Sequence, residues 1–516
     1  MRLQGLLEEV TVLAWHGPRP QGEITGLAYD SRRVEPGMLF AALAGTAADG
    51  HRFLPAAAQA GAAAALVERV QPGLAQLCQI QVAQTRRALA RAACAFYGHP
   101  SRGLTVVGIT GTNGKTTVSW LVESILAQGT ATGLLGTVEV RFADQRRPAG
   151  HTTPESVDLQ ALLAEMAGAG VQAVVMEVSS HALVQHRVEG TAFDLALFTN
   201  LSRDHLDYHG DMESYWQAKR RLFHELLPQA RRAGKDPAAV VCTDDPRGRE
   251  LARELEEKGL PVFTYGLEPG ARVQGREAQG DLEGGRVTMC WPGGELELRT
   301  ALVGRYNLQN CLAAGAAGLA LGLEPGRIQA GIRALRGVPG RLERVPGPAG
   351  SPAVFVDYSH TPEALAGALE VLRPLTRGRL WCVFGAGGDR DQGKRPLMGR
   401  AAGQGADLVV LTSDNPRSED PLAIMAMIEP GLAQAGCRRL QAGQPPRPGG
   451  YLAEPDRARA IALALKEAGP EDVVLIAGKG HEDYQIIGQR KLPFDDRREA
   501  ARLLAAGEGR HAQAGR

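Results

Sequence analysis

The chain has 516 residues, and because domains commonly run to roughly 100 to 200 residues, we expect about three of them. Hydrophobic residues make up 44% of the sequence and charged residues 22%, which is close to the averages for globular proteins and argues against wholesale disorder. The formal net charge of +1 supplies no long-range attraction to nucleic acid or to anionic membranes, so any anionic ligand must be held by a local cluster.

The start of the chain and its cysteines favour a cytoplasmic protein. Glu8 and Glu9 stand where a signal peptide would need an apolar core, and no run of about 18 apolar residues occurs. The seven cysteines are scattered without a C-x-x-C pair, which favours a reducing compartment and argues against structural zinc. We therefore expect a protein of the cytoplasm that does not insert into membranes.

The first predicted domain covers residues 1–100. It ends in an alanine-rich helical stretch, 86–97, which precedes the breaker cluster Gly98-His99-Pro100-Ser101. Because a new apolar run begins directly after that cluster, we place the first domain boundary between residues 100 and 101.

Short apolar runs alternate with helix-like segments through the middle of the chain, which predicts an α/β domain over residues 101–338. The runs read as buried parallel strands. They are residues 105–109, 172–178, 193–199 and 239–242. A loop-rich junction around 337–352 leads to a third α/β domain, residues 339–516. Its predicted strands are residues 353–357, 379–384, 407–412 and 472–477.

A glycine-rich loop lies between the first strand of the middle domain and a predicted helix, 115–127. It consists of Gly111, Thr112, Asn113, Gly114, Lys115, Thr116 and Thr117. Glycines let backbone N–H groups converge on an anion, and the start of the helix adds the positive end of its dipole. Lys115 can offset the charge of a phosphate, and Thr116 can bind Mg²⁺. The strict P-loop pattern fails because Ile109 stands at its first glycine. The loop predicts binding of ATP or GTP by a variant phosphate loop, and the alternative is a structural turn with a surface lysine.

Polar residues follow the strands of the middle domain, where ligands bind in parallel sheets. Glu177 ends an apolar run and could hold the metal of a bound nucleotide, although a solvated carboxylate at a strand end is the plain alternative. The loop 200–210 adds two histidines, including His205, and two aspartates. Zinc would need closely set His and Cys ligands, whereas oxygen-rich surroundings near a phosphate favour Mg²⁺.

Four polar clusters follow the predicted strands of the third domain. They begin at Asp357, Gly385, Asp414 and Gly478. Arg390 stands where a dinucleotide fingerprint needs glycine or alanine, which argues against an oxidoreductase. Arg390 and Arg417, with Asp414 and Glu482, could converge on an amino acid, because arginine pairs with carboxylates and acids receive ammonium groups. Turns with solvated arginines remain the alternative.

Together these motifs resemble the Mur ligase family, whose members use ATP to build the peptide stem of bacterial cell-wall precursors. The family's phosphate loop reads Gly-Thr-Asn-Gly-Lys-Thr-Thr without the first P-loop glycine, so Ile109 becomes a match. The resemblance spans nearly the whole chain. It implies an α/β fold of three domains: a smaller N-terminal UDP-binding domain, a central P-loop-type ATPase domain with a parallel sheet, and a C-terminal Rossmann-like domain for the amino acid.

The resemblance also implies roles, position by position. ATP would be bound by the phosphate loop with Asn307, Asp357 and His360. The UDP-N-acetylmuramoyl-dipeptide would be bound by Ser31, Thr152, Thr153, Ser179, Gln185 and Arg187. Two Mg²⁺ ions are implied, and their ligands would be Thr116, Glu177, His205 and Lys219, the lysine as a carbamate formed with CO₂. The residues with catalytic roles would be Lys115, Lys219, Glu177 and His205.

The third domain is similar to that of the family members that add meso-diaminopimelate. The amino-acid site implied by this similarity consists of Arg390, Asp414, Asn415, Pro416, Arg417, Gly478 and Glu482. Diaminopimelate differs from lysine by an extra carboxylate, so a further arginine is chemically sensible, and a site that pairs that carboxylate would reject lysine.

The reaction implied by the resemblance forms an amide. The D-glutamate carboxylate of UDP-N-acetylmuramoyl-L-Ala-D-Glu attacks the γ-phosphate of ATP, and the amine of diaminopimelate displaces phosphate from the acyl phosphate. We expect a monomer without a nucleic-acid partner. The alternatives are a folylpolyglutamate synthetase, a D-Ala-D-Ala-adding ligase, or a non-enzymatic nucleotide-binding module. The diaminopimelate signature argues against the first two and the number of motifs against the third.

Overall fold

The computed structural model describes residues 1–45, 48–441 and 444–514. The chain divides into two compact units. Unit 1 comprises Met1–Arg276, Thr288–Leu298 and Gln309–Ala334, and unit 2 comprises Glu277–Val287, Arg299–Leu308 and Leu335–Arg516. In the described part of the chain, no helix combines the length and the apolar character needed to cross a membrane.

Unit 1 begins with a five-stranded sheet in the order β1-β5-β4-β3-β2. Its strands are β1 (Val12–His16), β2 (Leu27–Ala28), β3 (Leu39–Ala41), β4 (Ala64–Val67) and β5 (Cys78–Val82). The helices of this region are α1 (Leu3–Leu6), α2 (Leu54–Gln59) and α3 (Thr85–Phe96). Short 3₁₀ turns are Ser31–Arg33, Gly50–Phe53 and Pro100–Arg102. The alanine-rich face of α3 packs into the core of this sheet, which confirms the helix predicted at 86–97.

The second sheet of unit 1 carries the phosphate loop. Those of its strands that lie wholly in unit 1 are ordered β13-β12-β11-β6-β10-β7-β8-β9. They are β6 (Thr105–Thr110), β7 (Thr132–Leu135), β8 (Glu139–Phe142), β9 (Gln145–Pro148), β10 (Ala173–Glu177), β11 (Leu195–Phe198), β12 (Ala238–Cys242) and β13 (Val262–Gly266). Strand β6 is central and pairs in parallel with β10 on one side and β11 on the other. The four predicted strands are therefore confirmed, and their carboxyl ends lie at one edge of the sheet.

Helices flank this sheet and place the site residues. They are α4 (Lys115–Leu126), α5 (Ser156–Gly168), α6 (Ser180–Val184), α7 (Leu206–His209), α8 (Met212–Arg221), α9 (Leu227–Arg232), α10 (Pro246–Glu257), α11 (Arg305–Ala320) and α12 (Pro325–Ala334). A π-helical turn, Leu222–Leu226, joins α8 to α9. The segment between β13 and α11 forms β14 (Val273–Asp281), β15 (Gly284–Trp291) and β16 (Gly294–Thr300).

Unit 2 contains a seven-stranded sheet in the order β17-β18-β23-β19-β20-β22-β21 and a separate hairpin, β24-β25. The strands are β17 (Glu343–Val345), β18 (Ala353–Asp357), β19 (Leu380–Phe384), β20 (Leu408–Leu411), β21 (Arg438–Arg439), β22 (Gly450–Ala453), β23 (Val473–Ala477), β24 (Tyr484–Ile487) and β25 (Arg490–Pro493). The helices are α13 (Pro362–Leu372), α14 (Lys394–Gly405), α15 (Pro421–Gln434), α16 (Arg457–Glu467) and α17 (Asp496–Ala514), and a 3₁₀ turn is Arg373–Leu375. Strands β18, β19, β20 and β23 are those predicted.

Candidate active site

The phosphate loop turns from β6 into α4, as predicted. Its two glycines have backbone conformations that other residues seldom adopt, with φ of +148° at Gly111 and +86° at Gly114. A Cβ atom on Gly111 would clash with Thr199 Oγ1, and one on Gly114 would lie 2.7 Å from Asn310 Oδ1. Both positions therefore require glycine, because the backbone φ is positive and because a side chain would clash with its neighbours.

The segment that follows β11 fixes the loop from one side. Thr112 N donates to Asn200 O at 2.8 Å, and Asn113 N donates to Asn200 Oδ1 at 2.9 Å. Thr199 Oγ1 donates to Asn113 O at 2.6 Å, and Ser202 N donates to Thr112 Oγ1 at 3.0 Å. The sequence showed only a polar run here, and its bracing role depends on the parallel pairing of β6 with β11.

Two lysines converge on the carbonyl of Gly111. Lys115 Nζ donates to Gly111 O at 3.0 Å and to Thr112 O at 2.9 Å, while Lys219 Nζ donates to Gly111 O at 2.7 Å. Lys219 is only 1% exposed, and its ammonium nitrogen lies 4.3 Å from the centroid of the Tyr215 ring. The structure thus brings two of the predicted catalytic residues to one carbonyl.

The environment of Lys219 disfavours its charged form. Burial comes first and the nearby ammonium of Lys115 second, and together they hold the pKa of Lys219 well below 10.5, although Asp204 acts in the opposite direction. The side chain is therefore far more easily deprotonated than a surface lysine. A neutral amine is a nucleophile, whereas an ammonium is not.

Glu177 ends β10 and is 1% exposed. Its Oε2 accepts from Thr116 Oγ1 at 3.1 Å and from Thr137 Oγ1 at 3.0 Å, and its Oε1 accepts from Thr137 N at 2.8 Å. Carboxylate and hydroxyl oxygens are the ligands that Mg²⁺ prefers, so the donor set beside the phosphate loop fits this ion. Sequence reasoning missed Thr137, which lies in the turn after β7.

His205 belongs to a cluster of rings beside Lys219. The His205 and His181 rings lie 4.9 Å apart, the His181 and His209 rings 5.5 Å, and the His209 and Tyr215 rings 5.0 Å. Burial, then the neighbouring His181 and Lys219, lower the pKa of His209 to about 4. Burial and the nearby His205 also lower the pKa of His181. His181 and His209 are therefore neutral at pH 7, the form in which imidazole binds metals.

Five of the six residues assigned to the UDP-N-acetylmuramoyl-dipeptide form one network. Thr153 Oγ1 donates to Glu177 O at 2.9 Å, and Ser179 N donates to Thr153 Oγ1 at 3.1 Å. Arg187 donates to Thr153 O at 2.9 Å and to Gln185 Oε1 at 2.7 Å. Thr152 is the fifth member. Its hydroxyl lies 3.1 Å from that of Thr137, which in turn donates to Glu177.

The sixth residue, Ser31, lies at the start of the 3₁₀ turn Ser31–Arg33. Sequence reasoning also missed Glu155, whose carboxylate lies 3.1 Å from the Arg187 guanidinium and 3.2 Å from that of Arg86 on α3. The Glu155 carboxylate therefore pairs with two arginines, one on α3 and one shortly after α6.

In unit 2, six of the seven residues assigned to the amino acid follow β20 or β23, and Arg390 follows β19. Asn415 Nδ2 donates to Glu482 Oε2 at 2.9 Å. A Cβ atom on Gly478 would lie 2.5 Å from Asp414 Oδ2, so glycine lets the two loops approach. The loop residue Pro416 is buried. The structure brings these predicted residues together.

The two predicted arginines flank Gly387. A Cβ atom there would lie 3.0 Å from an Arg417 guanidinium nitrogen and 3.7 Å from Arg390 Cγ. Arg417 donates from its guanidinium to Gly388 O at 2.7 Å and has a φ of +51°. Hydrogen bonds with β24 hold this backbone, since Arg417 N donates to Ile486 O at 3.0 Å. Arg390 is exposed.

The three remaining residues assigned to ATP lie in unit 2. Asn307 is 1% exposed and donates to Val303 O at 2.8 Å. Asp357 Oδ2 accepts from Leu342 N at 2.7 Å, and burial raises the pKa of this carboxyl. The ring of His360 lies 4.5 Å from that of Tyr358. Contact of these residues with a nucleotide stays a prediction.

Comparisons with known proteins agree with the fold and identify the family. Family models match three segments: "Mur ligase family, catalytic domain" at 23–97, "Mur ligase middle domain" at 109–318 and "Mur ligase, glutamate ligase domain" at 340–480. The UDP-N-acetylmuramoyl-L-alanyl-D-glutamate--2,6-diaminopimelate ligase of Geobacter metallireducens is 49% identical over 94% of this chain and 96% of that protein. The ligase of the same name from Gloeobacter violaceus is 48% identical, over 94% and 95% of the two chains. A solved structure of such a ligase is 31% identical, with a TM-score of 0.70 over 98% of this chain and 99% of the other.

Proposed function

The chain belongs to the Mur ligase family, and from that premise we propose that it joins meso-2,6-diaminopimelate to UDP-N-acetylmuramoyl-L-Ala-D-Glu with hydrolysis of ATP to ADP. The product is a precursor of peptidoglycan. The observation that carries the proposal is the identity of 49% with a diaminopimelate ligase over 94% of the chain. The sites described above give each substrate a set of residues with suitable chemistry.

The phosphates of ATP bind at the phosphate loop in this proposal. The N–H groups at the start of α4 point to the anion, and Lys115 lies close enough to exchange its bonds to loop carbonyls for bonds to phosphate. Thr116 and Glu177 would hold Mg²⁺, which spreads the negative charge of the phosphates when bound. Asn307, Asp357 and His360 would contact the rest of the nucleotide.

The acceptor binds at the network around Thr153 and Arg187. An arginine held by Glu155 and by the carbonyl of Thr153 has a fixed orientation, which suits a carboxylate of the UDP-linked dipeptide. The D-glutamate side-chain oxygen forms a bond to the γ-phosphorus while the bond to ADP breaks. Ser31 would contact the UDP part of this substrate.

The second step forms the amide. The amine nitrogen of diaminopimelate bonds to the acyl carbon, the acyl-phosphate C–O bond breaks, and phosphate leaves with that electron pair. The amine loses its protons to solvent. Arg390 and Arg417 would bind carboxylates of the amino acid, and Glu482 its ammonium group. A lysine substrate leaves the second carboxylate site unmatched.

Lys219 acts as a carbamate in this proposal. Its amine adds to CO₂ and loses a proton, which replaces a buried ammonium by a carboxylate-like group. Support comes from the burial of Lys219, its lowered pKa and the adjacent Lys115, because a negative group there relieves the repulsion between two ammonium groups. The carbamate oxygens and His205 would serve a second Mg²⁺.

We further propose that the division into residues 1–100, 101–338 and 339–516 corresponds to UDP-binding, ATP-binding and amino-acid-binding domains, and that the enzyme acts as a monomer in the cytoplasm. Sedimentation of the purified protein with and without substrates tests the oligomeric state.

The decisive experiment measures phosphate release from ATP in the presence of UDP-N-acetylmuramoyl-L-Ala-D-Glu. Three reactions are compared: with meso-diaminopimelate, with L-lysine, and without an amino acid. We expect sustained release only with diaminopimelate, and a product whose mass equals the dipeptide plus one diaminopimelate residue. Equal or faster release with lysine would overturn the specificity, and release independent of the UDP substrate would overturn the acceptor assignment.

A further inference from the structure

A fully buried lysine lies behind the amino-acid site of unit 2. Lys479, between Gly478 and Glu482, has 0% of its surface exposed. Its Nζ lies 3.2 Å from Glu482 Oε2 and 3.3 Å from Asn415 Oδ1, and 5.4 Å from the centroid of the Tyr484 ring. Burying an ammonium is costly unless it is paired and hydrogen-bonded, so these contacts account for its place in the fold.

The ammonium is one of three groups that orient the Asn415 amide. Asn415 Oδ1 accepts from Lys479 Nζ and from Ile486 N, the latter at 2.9 Å, while its Nδ2 donates to Glu482 Oε2 at 2.9 Å. A reversed amide would place an NH₂ group against the ammonium and a carbonyl oxygen against the carboxylate. Lys479 and the backbone of β24 together exclude that orientation.

The different burial of Lys479 and Glu482 distinguishes this pair from an ordinary ion pair on the surface. The Lys479 side chain is 0% exposed, whereas that of Glu482 is 18% exposed. Part of the Glu482 side chain is therefore exposed, whereas the lysine is enclosed. A pair of this kind holds the carboxylate in one position and limits the freedom that a surface glutamate would have.

We propose that Lys479 is a positioning residue for the amino-acid substrate, acting through Asn415 and Glu482. The inference rests on the proposed function, since it assumes that these two side chains bind diaminopimelate. Lys479 itself does not touch the substrate. Its ammonium holds one oxygen of Glu482 and, together with the backbone of β24, the direction of the Asn415 amide. The site is therefore formed before the amino acid arrives, and less ordering is needed on binding.

The test compares Lys479→Met with Lys479→Arg and with Lys491→Met. Lys491 is an exposed lysine of the hairpin whose Nζ lies 3.7 Å from the centroid of the same Tyr484 ring, so it serves as the matched control. For Lys479→Met we expect the KM for diaminopimelate to rise about tenfold or more, with the KM values for ATP and the UDP substrate within about twofold of wild type. Lys479→Arg should recover part of the loss, and Lys491→Met should behave as wild type.

The outcomes separate this inference from the proposed function. If wild-type protein shows no diaminopimelate-dependent phosphate release, the proposed function is wrong. If wild type is active and a folded Lys479→Met keeps the wild-type KM for diaminopimelate, the positioning role is wrong. A rise of all three KM values by the same factor would also overturn it, because that pattern indicates general loss of structure. Should Lys479→Met fail to fold, Lys479→Gln takes its place, since it can still donate to Asn415 but carries no charge.

Discussion

Replacing Lys219 by methionine should change the pH dependence of stability in a defined way. Burial holds the pKa of Lys219 well below 10.5 in the folded protein, so between that lowered value and about 10.5 the unfolded chain binds a proton that the folded protein does not. Stability therefore rises with pH in this interval, by about 1.4 kcal/mol per pH unit for one proton. The cost of burying Lys219 vanishes above about pH 10.5 and is fully present below its folded pKa.

Methionine has a similar volume and no titrating group, so Lys219→Met removes this slope. We expect the variant to exceed the wild type in free energy of unfolding in this interval, and that advantage to shrink by about 1.4 kcal/mol for each pH unit towards about 10.5. Urea denaturation in CO₂-free buffers, followed by tryptophan fluorescence, measures the difference. Lys258→Met, at an exposed lysine of the same unit, is the control and should show no such slope.

A difference between wild type and Lys219→Met that stays constant at every pH up to about 10.5 would refute the reasoning, since it means that folding does not lower the pKa of Lys219. Added bicarbonate extends the test. If the neutral amine forms a carbamate, bicarbonate should stabilise the wild type and leave Lys219→Met unchanged. The variant should also lose ligase activity by about 100-fold or more, because the carbamate proposed at the phosphoryl-transfer site cannot form.

Three further substitutions test the rest of the site. Glu177→Gln keeps the shape of a buried side chain but removes its charge, so kcat should fall about 100- to 1,000-fold in the phosphate-release assay, and unchanged kcat would exclude a role in metal binding. Arg417→Lys keeps the charge but loses the planar fork, so the KM for diaminopimelate should rise about 10- to 100-fold while that for ATP stays constant. Gly111→Ala places a methyl group against Thr199 Oγ1 at a backbone φ of +148°. Calorimetry should show loss of ATP binding and a midpoint of thermal unfolding several degrees lower. Binding of ATP as tight as in the wild type would contradict the steric argument.

The parallel strands were predictable because each is a continuous apolar run. Strand β18 spans the predicted residues, and β6 extends only one residue further. The hairpin strand β9 was not found, since all four of its residues are exposed and carry no pattern of buried positions. The phosphate loop was predictable because its chemistry is local, contained within seven consecutive residues.

Contacts between distant segments could not be read from the sequence. Thr137 lies 40 residues before the glutamate that it contacts, and nothing near it marks a metal site. The burial of Lys479 is equally invisible, because a lysine between two glycines looks like a surface residue. One contact did have a local signal: Tyr215 and Lys219 are four residues apart on α8, a spacing that places both on the same helix face.

The hydroxyls around Glu177 connect the proposed sites of the two substrates. Thr116, on the phosphate-loop helix, and Thr137, whose hydroxyl lies 3.1 Å from that of Thr152, both donate to the same carboxylate oxygen. A nucleotide that draws Thr116 away from this oxygen alters the environment of Thr137, and therefore of the acceptor network. If ATP changes the affinity for the UDP substrate by some factor, thermodynamic linkage requires that the UDP substrate change the affinity for ATP by the same factor. With ATP and the UDP substrate bound as proposed, one buried carboxylate would couple the two binding equilibria.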